Sequence, residues 1–105
     1  MPPYKPYIPQ SAGETIELLG AMVLDAPTFE DDSYFVGKNI DTTYFALDEG
    51  LKVIRSKLGE DRYARLVEMA LLTKQKFLQA SDEDAEEVLA GRNILIEMIG
   101  MLRRR

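Results

Sequence analysis

Apolar residues recur along most of this chain in steps of three and four, the spacing of one face of a helix. Ile16, Leu19, Met22 and Val23 carry the first stripe. Ser11 followed by Glu14 opens it as a capping box, and Pro27, which disfavours helical geometry at Ala26, closes it near Asp25. Tyr44, Leu47, Leu51, Ile54 and Leu58 carry the second, starting at Asp41, whose side chain can cap the amides of Thr43 or Tyr44, and stopping at Gly59. A third runs from Glu60 or Asp61 to Gln79 with Tyr63, Leu66, Val67, Ala70, Leu71, Phe77 and Leu78 on its apolar face. Ser81 with Asp84 repeats the capping signature ahead of a fourth, which holds Ala85, Val88, Leu89, Arg92, Leu95, Ile96, Ile99 and Leu102.

No strand pattern competes. Tyr34-Phe35-Val36 is short, and no second alternating run exists to pair with it. Short connections after the second and third helices favour antiparallel neighbours. The expectation is therefore an all-α fold, a small antiparallel four-helix bundle formed by residues 11–105 as one domain. Residues 1–10 carry prolines at 2, 3, 6 and 9 with Tyr4, Tyr7 and Ile8 between them, which makes them an extended, proline-rich strap or tail. Gly50 inside the second helix costs about 1 kcal/mol against alanine and suggests close approach of a neighbouring helix. The fourth stripe is broad enough for the centre of a bundle or for a dimer seam, so Leu95, Met98 and Ile99, with Tyr4 and Tyr7 of the strap, are the residues expected at a homodimer interface.

Composition narrows the chemistry. The chain has neither cysteine nor histidine, which removes disulfides, thiol chemistry, the usual general base and most zinc ligands. Di-metal carboxylate sites in bundles use Glu-x-x-His pairs, and that pattern fails here. No metal, cofactor or catalytic group is expected, and the chain does not read as an enzyme. Absence of cysteine fits a cytoplasmic protein. The apolar runs fall short of the roughly 20 residues that cross a bilayer, and the start Met1-Pro2-Pro3-Tyr4 is not a signal peptide, so no membrane role is expected.

Eighteen acidic residues against thirteen basic ones leave a net charge of -5, which argues against nucleic acid and for a basic protein as partner. Arg62, Arg65, Lys74 and Lys76 make the third helix locally basic, but they are split between its ends. The stretch DAPTFEDDSYFVGKNI, residues 25–40, forms a long irregular loop between the first two helices. Its contiguous acids do not alternate as calcium ligands must, and no late glutamate closes it. Two readings remain: Phe29 and Phe35 fold inward as a cover, or the aromatics anchor a partner while the acids steer it. On the second, Phe29, Glu30, Asp31, Asp32, Tyr34 and Phe35 form the contact, assisted by Asp82, Glu83 and Glu86 if both acidic clusters share one end of the bundle. The helix dipole alone also accounts for acids at 82–87.

Compact, acidic, cysteine-free helical chains of this size resemble, in overall build, the immunity proteins and antitoxins that neutralise basic bacterial toxins. No motif carries that resemblance residue by residue. It implies a non-catalytic inhibitor that occludes a basic partner; the alternative is a structural or adaptor protein acting as a helical homo-oligomer.

Overall fold

Ser11 starts the first helix as its spacing predicts: its backbone is extended, and its hydroxyl accepts the Glu14 N–H at 3.1 Å. The structure, a computed structural model, describes residues 5–30 and 38–103. Every regular element among them is helical: α1 (Ala12–Asp25), α2 (Ile40–Val53), α3 (Arg55–Leu58), α4 (Glu60–Gln79) and α5 (Glu86–Arg103).

Three boundaries differ from the sequence expectation. Asn39, not Asp41, caps α2; its side chain accepts the Thr42 N–H, and the Thr42 hydroxyl accepts the Asn39 N–H, both at 3.0 Å. Asp41 is thereby left to pair with Lys74 at 3.0 Å. The second helix does not continue to Leu58 but breaks at Ile54 (φ -102°, ψ 9°), within the β-branched pair Val53–Ile54. Short α3 then carries Arg55 to Glu60, with two hydrogen bonds of 2.9 and 2.7 Å, and onto the ring of Tyr63. At the fourth stripe Ser81 opens no helix. Asp82 accepts the Asp84 N–H at 2.8 Å, and this local turn delays α5 to Glu86.

Contacts across the core give the helix directions. Lys38 ahead of α2 meets Asp25 at the end of α1, while Pro9 ahead of α1 packs on Gly50 near the end of α2. Tyr44, early in α2, bonds Thr73, late in α4. Phe77 of α4 lies against Gly91 of α5, and Arg62 reaches the Met101 carbonyl. Arg92 of α5 reaches the carboxyl end of α1. Each neighbouring pair therefore runs antiparallel, and α1, α2, α4 and α5 close a ring around one core. The thin dimension of 17 Å is that of two helix layers.

The core holds Leu19, Met22, Leu47, Leu51, Leu66, Leu95 and Met98, all essentially inaccessible. Leu95 and Met98 are buried inside one chain and Ile99 packs partly buried against the same core, so these residues require no dimer seam to be satisfied. Only part of the expected α4 face goes inward: Leu66, Ala70 and Phe77 are buried, whereas Val67, Leu71 and Leu78 are exposed. Gly50 does mark a close approach, but by Pro9 rather than by a helix.

Candidate functional site

The antiparallel ring brings the end of α1, the starts of α2 and α5 and the last turn of α4 to one end of the molecule. Phe29 holds that end together. Its N–H bonds the Asp25 carbonyl at 3.1 Å, and its φ of 58° lies in the left-handed region that a bulky residue rarely enters. The ring offsets that strain by complete burial, edge-on to Tyr44 at 5.8 Å and to Phe77 at 5.3 Å between centroids. Phe29 is therefore a core residue, and the expectation of it as a partner contact is corrected: its left-handed backbone turns the side chain in.

Glu30, the next residue, is exposed. Arg92 ties the same region to α5, its guanidinium donating to the Val23 carbonyl at 3.1 Å and the Ala26 carbonyl at 3.0 Å. It completes the carboxyl end of α1 and bridges no carboxylate there. Asp82, Glu83, Asp84 and Glu86 stand exposed at the start of α5. Among the described residues, none of these carboxylates or Glu30 has an ion-pair partner, whereas Asp25 and Asp41 are taken by Lys38 and Lys74. The two acidic segments thus share one end, which the order of the helices permitted. Asp31, Asp32, Tyr34 and Phe35, and Tyr4 of the proline-rich segment, lie outside the described residues.

Two clefts run along the helices among the described residues. A larger one of about 460 Å³ lies between residues 6–9, α1 and the first turns of α2, with Glu17, Leu18, Ala21 and Lys38 in its wall. Exposed Tyr7 donates its hydroxyl to Glu14 at 2.6 Å across its rim. That bond raises the phenol above its ordinary value and, with the Gln10 N–H, lowers the Glu14 carboxyl. A second cleft of about 320 Å³ lies between α2 and α4. Desolvation raises the pKa of Asp48 there, against the opposing charges of Lys74 and Lys52. Among the described residues no cluster of carboxylates converges as a metal site would require, and no helix is long and apolar enough to cross a membrane.

No protein-family model, curated protein or solved structure matches this chain.

Two structural residues escaped the sequence reading. Thr73 was hidden because a polar residue at an inward position looks like a flaw in the stripe, although its partner Tyr44 stood in the expected core. The role of Arg92 was hidden for a different reason: the interruption of an apolar face was visible, but the acceptors, 66 and 69 residues away, were not.

Proposed function

We propose that the chain is a small antiparallel four-helix bundle that acts in the cytoplasm by docking, with no catalysis of its own, and that its acidic end is the docking surface. The reading is that of an inhibitory partner, of the immunity or antitoxin kind, for a basic protein. One observation carries it: Glu30, Asp82, Glu83, Asp84 and Glu86 are exposed at one end without described ion-pair partners, on a rigid base formed by Phe29, Tyr44 and Phe77. Carboxylates left unneutralised in this way speed and orient encounter with a positive surface. Asp31, Asp32, Tyr34 and Phe35 follow directly in sequence and belong to the same proposed surface.

The test is capture from the native cell lysate with two baits, the original chain and one carrying Glu30→Lys, Glu83→Lys and Glu86→Lys. All three positions are exposed, so the variant is expected to keep its helix content by circular dichroism. A single basic protein held by the original and lost by the variant supports the reading. Equal recovery of the same proteins by both baits refutes the acidic end as the docking surface.

A further inference from the structure

The segment ahead of α1 bridges a hollow instead of filling it. Pro9 seats it on α2: the residue is buried, and a Cβ at Gly50 would stand 3.1 Å from three carbons of its ring. A glycine inside a helix costs about 1 kcal/mol against alanine, and at Gly50 it is what lets the proline sit so close. Tyr7 fastens the other edge to α1. Its hydroxyl donates to Glu14 Oε1 at 2.6 Å, and the Gln10 N–H meets the same oxygen at 3.0 Å. Between these fastenings lies the cleft of about 460 Å³, a size within the range of about 300–1,000 Å³ that small-molecule sites occupy.

The lining has two characters. Pro6 and Pro9 on one side and Leu18, Ala21, Met22 and Ala46 on the other give it apolar walls. Three carboxylates of α1, Glu14, Glu17 and Asp25, face one cation, Lys38, and Lys38 is already paired with Asp25 at 3.1 Å. Glu14 and Glu17, one helical turn apart, are left without a cation among the described residues. The bonds from Tyr7 and Gln10 both fall on Glu14 Oε1, which leaves Oε2 to accept another donor. Those bonds also hold the Glu14 carboxyl below its ordinary value, so it stays ionised.

We propose that this cleft binds a small organic ammonium, a protonated primary amine carried on an apolar body. The ammonium sits between Glu14 Oε2 and the Glu17 carboxylate, and the hydrocarbon lies along Leu18, Met22 and Ala46. A ligand carboxylate would meet two unneutralised acids and find Lys38 occupied. A neutral ligand would take water from the same acids and give no charge in return. The site lies along α1 and does not depend on the docking role of Glu30 or of residues 82–86.

Titration of the whole chain with n-hexylammonium chloride, followed by amide NMR shifts, tests the site. The shifts are expected to saturate and to cluster at Glu17, Ala21, Lys38 and Ala46. Hexanoate and 1-hexanol should each bind about tenfold more weakly or less than that, because neither answers the two carboxylates. Glu17→Gln, a conservative change at an exposed position, should weaken the amine by about tenfold. Glu97→Gln removes an exposed carboxylate of α5, outside the cleft, and should leave binding unchanged, which separates the site from general attraction to a net charge of -5. Shifts that never saturate overturn the proposal. So does equal binding of hexanoate or 1-hexanol, an affinity that Glu17→Gln leaves as it was, or an equal loss in Glu97→Gln.

Discussion

Thr73 shows how much one buried hydroxyl can decide. Its O–H donates to the Ala70 carbonyl at 2.8 Å, so the Tyr44 hydroxyl, 2.6 Å away, donates to it. The two partners are therefore not equivalent. Tyr44→Phe removes a donor and leaves Thr73 satisfied, at a cost of about 1 kcal/mol. Thr73→Val strands the phenol with no acceptor and should cost more, about 2 kcal/mol, which paired urea melts will resolve. Desolvation holds the Tyr44 phenol far above its ordinary value of 10.0, with the charge of Asp48 adding to the rise and the Thr73 bond opposing it. A raised acid keeps its proton in the folded state after the unfolded chain has lost it. Stability should consequently fall as pH climbs past the ordinary tyrosine value, and Tyr44→Phe should remove that part of the alkaline loss. Gly91 is constrained from the other side. A Cβ there would stand 2.5 Å from Cε1 of Phe77 and 2.7 Å from its Cζ. Gly91→Ala should therefore destabilise by about 1–3 kcal/mol in the same melts, because Phe77 is held by Phe29 and has no room to retreat.

Between elements, Arg92 is the clearest joint. A fork of two N–H groups spans the Val23 carbonyl of α1 and that of its C-cap Ala26, a task that one ammonium cannot copy. Arg92→Ala should cost about 2 kcal/mol in chemical denaturation, and Arg92→Lys should recover less than half of it. The segment ahead of α1 is held more lightly, by Pro9 over Gly50 and by the Tyr7–Glu14 bond. The folded Glu14 carboxyl lies below its ordinary value, so this tether is complete above the usual glutamate range and is lost as pH falls through the lowered value. Carboxyl shifts followed by NMR should move Glu14 back towards the ordinary range in Tyr7→Phe. An unchanged Glu14 would mean that the Gln10 amide alone holds it.

On the scale of the molecule, the proposed docking surface predicts kinetics of a particular kind. Association with a basic partner should slow steeply with added salt, and the charge-reversed variant should show a shallower slope, measurable by stopped flow. The acids at residues 82–87 and the all-helical fold were legible in the sequence, because helical period acts locally; that the acids share an end with residue 30 was only permitted by the order of the helices. Which row of α4 turns inward was not legible. Leu66, Ala70 and Phe77 and the outward Val67, Leu71 and Leu78 are equally apolar, and only the packing of α2 and α5 chooses between them. Caps were readable in kind but misplaced where two candidates competed. Asn39 prevailed over Asp41 because Thr42 returns its bond, while Asp41 has Lys74 to meet. The burial of Phe29 depended on a left-handed backbone that nothing in an acidic, aromatic loop announces.

Between Phe29 and Glu30 the chain passes from complete burial to open solvent in a single step. On the docking proposal, a change of charge at Glu30 acts in solvent and leaves the Phe29 ring where it stands, against Tyr44 and Phe77. Glu30→Lys should therefore alter the on-rate of a basic partner and leave the urea midpoint as it is, whereas Phe29→Ala should lower that midpoint.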